Sequence, residues 1–209
     1  IQVPILGDIP LGNGDNQLVI ELDKRSNLAE AFRLIRTNLD FVLNSISNSG
    51  GKVIGVTSTM AGEGKSFVSL NLASTLALSG KKVLLVGMDL RKPKLLEYFN
   101  IPPHNKGITH YLSDAEVAVA DLIFKAPGNI ENLDLIESGV IPPNPAELLL
   151  NPRLSEVFRV VRDNYDYIVV DTAPVNLVTD TLVINDHIDM FVYVARANFL
   201  DKRLLVIPE

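Results

Sequence analysis

The chain has no cysteine and only three histidines. Without cysteine, neither disulfides nor thiolate metal centres are available. His104, His110 and His187 lack the paired spacing of metal ligands and read as loop or surface polar residues. Positive charge is the minority sign. Nineteen Lys and Arg face 25 Asp and Glu, for a net charge of −6, which argues against a nucleic-acid surface. No apolar run reaches the roughly 18 residues that a membrane-spanning helix needs, and no signal peptide opens the chain. By itself the chain is therefore expected to be soluble. Internal repeats and low-complexity tracts are also missing. What remains is ordinary globular composition, 47% hydrophobic and 21% charged over 209 residues, enough for one domain with a real core.

The pattern along the chain is an alternation. Ile1 to Asn16 is rich in Gly, Pro and Asn and reads as an extended lead-in. Leu28, Phe32, Ile35, Leu39, Val42 and Ile46 recur at steps of four and three, the apolar stripe of an amphipathic helix. Buried strands are then expected at Lys52–Ser58, Lys82–Met88, Leu133–Ser138, Tyr165–Asp171 and Asp189–Ala195. Helices are expected at Ser66–Ser79, within Val117–Phe124, over Pro145–Asn164 with a break at Asn151-Pro152, and near Asp180–Asp186. Strands without polar alternation, separated by helices, imply an α/β fold: a mostly parallel central sheet flanked by helices on both faces. Ligands of such sheets bind at the carboxyl ends of the strands.

The first of those ends carries Thr57-Ser-Thr-Met-Ala-Gly-Glu-Gly-Lys-Ser-Phe67. Gly62 through Ser66 matches the end of the phosphate-loop pattern G-x-x-x-x-G-K-[ST], between a strand and a helix as the motif requires. Glycines let the backbone close around phosphate, and the amides and helix N-terminus face the anion. Ala61, Gly62, Glu63, Gly64, Lys65, Ser66 and Phe67 are the candidate nucleotide contacts. Lys65 would reach the β- and γ-phosphates, and the Ser66 hydroxyl would hold Mg²⁺. The first glycine of the pattern falls on Thr59. Two further strands end on acids. Asp171 closes Tyr-Ile-Val-Val-Asp, the usual position of the second (Walker B) acid, and Asp89 follows Val-Leu-Leu-Val-Gly-Met. Either acid alone could be a helix cap or turn residue. Arg91 could balance phosphate charge.

Glu30, Arg33 and Arg36 form E-x-x-R-x-x-R on the first helix. From periodicity alone two plain readings suffice. Glu30 lies three residues after Asn27, as in a capping box, and Glu30 with Arg33 is an ordinary i,i+3 pair.

Taken together, Leu28–Leu39, the Thr57–Phe67 loop, Val83–Pro93, Pro142–Leu149 and Tyr165–Pro174 resemble, in order, the bacterial tyrosine kinases of capsular and exopolysaccharide export. The resemblance covers nearly the whole chain, and Val3–Pro10 looks like the segment that joins the family's membrane-spanning part to its kinase domain. It implies a single P-loop kinase domain over 1–209, with residues 1–25 as lead-in and 26–46 as an oligomerisation helix. It implies an ATP-dependent protein-tyrosine autokinase with ATP/ADP and Mg²⁺ as cofactors. Lys65, Asp89, Arg91 and Asp171 would serve catalysis, with Ser66, Asp89 and Asp171 on the metal. Glu30, Arg33 and Arg36 match the family's oligomerisation motif, which builds a ring, typically an octamer. The implied partners are further copies of the chain, a membrane polysaccharide co-polymerase, and a neighbour's C-terminal tyrosine cluster. The implied location is the cytoplasmic face of the bacterial inner membrane.

Two departures bear on that expectation. The family writes its second motif D-x-D-x-R, and here the first acid position is Gly87. The family also continues into a tyrosine-rich tail, whereas Tyr98, Tyr111, Tyr165, Tyr167 and Tyr193 form no such cluster. Two other classes stay open. A partition or division-site ATPase would carry a signature lysine where this chain has Met60. A nucleotide-binding assembly platform with weak catalysis would tolerate Gly87.

Overall fold

The computed structural model describes residues 3–11, 26–45, 50–99, 101–102, 106–128, 130–175, 180–201 and 203–204. Its centre is a six-stranded sheet: β1 (Lys52–Ser58), β2 (Val83–Gly87), β3 (Phe124–Lys125), β4 (Leu133–Ile136), β5 (Tyr167–Asp171) and β6 (Met190–Val194). The order is β3-β4-β2-β5-β1-β6, parallel except for β3, which pairs antiparallel with β4 at the edge. The helices are α1 (Asn27–Leu43), α2 (Lys65–Leu78), α3 (Ile108–Ser113), α4 (Pro145–Leu149), α5 (Arg153–Asn164) and α6 (Asp180–Val183).

Alternate residues of each central strand enter opposite cores. Ile54, Val56, Leu85, Leu135 and Val169 pack with α1 and α2, while Val53, Leu84, Val86, Ile136, Ile168 and Val170 pack with α3, α4 and α5. Both faces are covered, which is why these strands are apolar on both sides through most of their length. The sheet is thus mostly parallel and covered on both sides, as the alternation of elements requires.

Helix α2 lies between α1 and the sheet, and nearly all of it is buried. That explains why, after Lys65, the helix carries no charged residue on any face. Its buried polar residues turn inward to their own backbone. Ser69, Asn71, Ser74 and Thr75 each donate to the carbonyl four residues back, at 2.6 to 3.0 Å. Backbone carbonyls of the same helix thus give these buried polar groups a hydrogen bond.

Helix α1 starts at Ser26, whose hydroxyl accepts from the Ala29 amide at 3.1 Å. The N-cap is therefore Ser26, and Glu30 turns to Arg33 instead of back to the helix start. Of the two plain readings, the i,i+3 pair is the one formed. Ile46, the last residue of the expected stripe, lies outside the described residues, as does His104. The lead-in runs along this helix. Leu6 and Ile9 pack on the core, and the Leu6 carbonyl accepts from Asn38 Nδ2 at 2.8 Å.

Short elements differ from expectation. Val117–Phe124 contains only a 3₁₀ turn, Val119–Leu122, before the chain becomes the edge strand β3. Two residues of strand carry no period, so nothing in the sequence announces them. The break between α4 and α5 falls at Asn151-Pro152 as expected, where the Asn151 side chain accepts the Arg153 amide at 3.0 Å across the turn. Among the described residues, no helix is long and apolar enough to cross a membrane.

Candidate nucleotide site

Strand β5 lies between β1 and β2, in register Val56–Asp171 and Gly87–Asp171. This topology brings the loop after β1, the end of β5 and the loop after β2 to one edge. Three stretches distant in sequence therefore meet at the carboxyl ends of adjacent strands.

The loop after β1 turns through two glycines with positive φ, Gly62 at 93° and Gly64 at 99°. Gly64 is the residue before α2, and its left-handed backbone swings the first-turn amides of α2 toward the loop. A side chain other than glycine's would be strained at both places. Glu63 is buried inside the loop. Its carboxylate accepts the Met60 amide at 2.7 Å and the Arg196 amide at 3.4 Å, tying the loop to the chain after β6. Thr59 stands where the motif's first glycine would be. It is fully buried and hydrogen-bonded to the Tyr193 hydroxyl of β6, so its side chain points away from the loop's concave side.

Lys65 and Ser66 open α2, and Asp171 faces them from β5. Asp171 is 2% exposed; its Oδ2 accepts from the Ser66 hydroxyl at 2.6 Å and its Oδ1 from Ser69 at 3.1 Å. Burial pushes its carboxyl up to about 6. The Ser66 hydrogen bond and the Lys65 charge pull the other way, and the Asp89 charge adds to the rise. A buried carboxylate with a raised pKa, beside a lysine in a glycine loop, makes this edge the candidate site.

Asp89 lies one residue past the Met88 amide, which donates to the Asp171 carbonyl at 2.8 Å. Its Oδ1 accepts the amides of Arg91 (3.2 Å) and Lys92 (3.0 Å), the turn geometry that is the plain reading of such an acid. Its Oδ2 accepts no hydrogen bond from the described residues. Arg91 forms a bidentate pair with Asp180, Nε to Oδ2 at 2.8 Å and Nη2 to Oδ1 at 3.1 Å. Of the expected loop contacts, Ala61 and Gly62 are exposed and Phe67 packs against Phe32 of α1, ring centres 5.9 Å apart. On α1, Glu30 is exposed and Arg33 and Arg36 are half-buried.

Gly87 is hemmed in. A Cβ there would meet the Ser138 hydroxyl at 2.8 Å and the Ser138 amide nitrogen at 3.2 Å. The Ser138 hydroxyl donates to the Gly87 carbonyl at 3.0 Å. The room that a side chain at this position would use is occupied by the chain after β4.

Sequence reading missed Asp180, Ser69, Ser138 and Tyr98. Ser69 was within reach, since it follows Ser66 by one helical turn. Tyr98 is half-buried, and burial together with the Asp171 charge pushes its hydroxyl pKa up. Asp180 and Ser138 belong to no spacing pattern and enter only through the fold. Elsewhere, His187 stacks on Phe158 with ring centres 4.7 Å apart, the plain structural reading of that histidine.

The donors at the edge are hard oxygens, a hydroxyl and two carboxylates. That set fits Mg²⁺ carried on a nucleotide, which takes one or two protein carboxylates and completes its shell with phosphate and water. Among the described residues, no three His, Cys, Asp or Glu side chains group as a self-sufficient metal site.

Comparison with known proteins gives the same reading from outside. A family model described as an AAA domain matches residues 51–192. Tyrosine-protein kinase CpsD of Streptococcus agalactiae is 35% identical over 187 residues, covering 87% of this chain and 78% of the relative. The crystal structure of the chimerical protein CapA2B2 superposes with a TM-score of 0.84 at 34% identity, over 97% of this chain and 84% of that one. The septum site-determining protein MinD of Pyrococcus horikoshii, complexed with Mg-ADP, is more distant: TM-score 0.58 and 23% identity over 69% of this chain and 58% of that one, a likeness of fold alone. The chain belongs to the bacterial tyrosine kinases of capsule and exopolysaccharide biosynthesis.

Proposed function

We propose that this chain is the catalytic domain of an ATP- and Mg²⁺-dependent protein-tyrosine autokinase. The observation that carries this is the Ser66–Asp171 contact at 2.6 Å, which joins the glycine loop to the central strand of the sheet. Lys65 binds the β- and γ-phosphates. Ser66 and Asp171 hold the ion, with Asp89 reaching it directly or through water. Bound Mg²⁺ neutralises charge on the transferred phosphoryl group and its leaving group. The residues themselves bind, orient and exclude water; phosphoryl transfer asks mainly for positioning and charge stabilisation.

The phosphate acceptor is a tyrosine outside the described fold. Tyr111, Tyr165 and Tyr167 donate to Glu156, Asp134 and Asp40 at 2.8 to 3.1 Å, and Tyr193 is bonded to Thr59. Burial, with nearby carboxylates adding to it, pushes the hydroxyl pKa values of Tyr98, Tyr165 and Tyr167 up, the wrong direction for an attacking oxygen. The acceptor is the C-terminal tyrosine cluster of a neighbouring copy in a ring, probed through Glu30, Arg33 and Arg36 of α1. The partner is a membrane polysaccharide co-polymerase at the cytoplasmic face of the inner membrane.

The test is phosphotyrosine formation with ATP and Mg²⁺ on a tyrosine-rich tail peptide, with Lys65→Met as the blank. Phosphotyrosine above the blank is expected, and its absence would sink the proposal. A second reading, a nucleotide-binding assembly platform, draws on Gly87, where Ser138 fills the place of a second carboxylate. It predicts nucleotide binding without turnover in the same assay. Met60, in the place of a signature lysine, speaks against a division-site ATPase.

A further inference from the structure

Asp180 opens α6, beyond the strand that carries Asp171, and is 2% exposed. Both of its oxygens are taken by the Arg91 guanidinium, at 2.8 and 3.1 Å. Arg91 in turn is two residues past Asp89, and its amide donates to Asp89 Oδ1 at 3.2 Å. A continuous path therefore runs from a buried carboxylate, through a planar fork, to the turn that holds the candidate metal acid. The path crosses the site edge from the β5 side to the β2 side.

This alters the expectation for Arg91. The edge of the guanidinium that carries Nε and Nη2 is committed to Asp180, and turning that edge to phosphate would strand a carboxylate that is 2% exposed. Breaking one side of a buried ion pair is among the costlier local changes a fold can undergo. A bidentate pair also fixes direction as well as distance, which a single point charge does not.

We propose that Asp180 is a positioning residue: through Arg91 it holds the turn after β2 so that Asp89 stands at the phosphate edge beside Asp171, and Arg91 is an anchor of that turn, not a phosphate ligand. The purpose assigned to the turn rests on the phosphoryl-transfer reading. The geometry of the clamp does not.

The experiment uses the whole chain and the variants Asp180→Asn and Arg91→Lys. Amide hydrogen exchange of the nucleotide-free protein is the first readout. Exchange at the Arg91 and Lys92 amides is expected to rise at least tenfold in both variants, with α1 and α5 amides unchanged. A fluorescent ADP analogue gives the second. In EDTA both variants should bind it within twofold of wild type, while the gain in affinity that Mg²⁺ confers should fall at least fivefold. Unchanged exchange at those amides overturns the proposal. So does a tenfold loss of binding in EDTA for Arg91→Lys with none for Asp180→Asn, because Arg91 would then touch phosphate directly. If Asp180→Asn does not fold, the double variant Arg91→Gln with Asp180→Asn, which buries no charge, carries the same two measurements. A wild type that binds nucleotide but phosphorylates no tyrosine sinks the kinase reading and leaves the clamp standing. A wild type that binds no nucleotide overturns both.

Discussion

Asp171 costs the nucleotide-free protein stability at neutral pH, and the cost has a size and a sign. Its carboxyl is raised from an ordinary 3.8 to about 6 in the fold, chiefly by burial. The folded state therefore holds this proton over a range of pH where the unfolded chain has released it. The stability contributed by the protonated form is fully present below about pH 4 and is lost as pH rises through about 6. At about 1.4 kcal/mol per pKa unit, the shift corresponds to roughly 3 kcal/mol at pH 7.5. Asp171→Asn imitates the protonated form in shape. Its amide oxygen still accepts from Ser66, and its nitrogen faces Ser69. We expect Asp171→Asn to be about 1–3 kcal/mol more stable than wild type at pH 7.5 in EDTA, a rise in Tm of several degrees for a chain of this size. The advantage should shrink as pH falls and vanish near pH 4. Thermal denaturation from pH 4 to 8 measures it. A variant less stable at pH 7.5, or a difference that does not change with pH, would refute the reasoning. With nucleotide and Mg²⁺ added the order should reverse, since binding to the folded state stabilises only the protein that can bind.

Gly87→Asp alone is not expected to restore a second acid, because its Cβ would meet Ser138 Oγ at 2.8 Å; the variant should lose about 1–3 kcal/mol in chemical denaturation, and Gly87→Asp with Ser138→Ala should recover part of it. Glu63→Ala removes the acceptor of the Met60 and Arg196 amides; a loss of about 1–3 kcal/mol is expected, with weaker nucleotide binding by fluorescence titration. Ser26→Ala should cost about 1 kcal/mol through the lost helix cap and leave the mass by light scattering unchanged. The triple alanine variant of Glu30, Arg33 and Arg36 should lower that mass, and equal masses would make the motif only a solvated helix face.

How much of this the sequence could tell depended on whether a feature repeats along the chain or arises across it. The strands at Lys52–Ser58 and Tyr167–Asp171, the glycine loop and the acid that closes β5 are local patterns, and each reads out directly. Buried on both faces, those strands carry unbroken apolar centres, Val53–Val56 around Gly55 and Ile168–Val170. The edge strand Phe124–Lys125 is too short to have a period, and its first residue falls at the end of the helical expectation for Val117–Phe124. Arg91 shows the other kind of failure. Beside Asp89 in the sequence it resembles a phosphate partner, and nothing local points to an acid 89 residues further on. Only the insertion of β5 between β1 and β2 brings the turn after β2 within reach of α6.

Gly87 sits between these cases. Its meaning as a missing carboxylate comes from its neighbours in sequence. The reason a carboxylate does not fit comes from Ser138, a strand away. A residue that looks like a deletion along the chain is, across the sheet, a packing partner. If catalysis persists here, it does so with the acids that remain. Asp171, Asp89 and the residue that aims Asp89 would then carry more of the site than the same positions do where a second acid is present. On that logic the clamp from Asp180 through Arg91 matters most in a chain that has glycine at 87, because the turn has one carboxylate to place and no other to compensate for its misplacement.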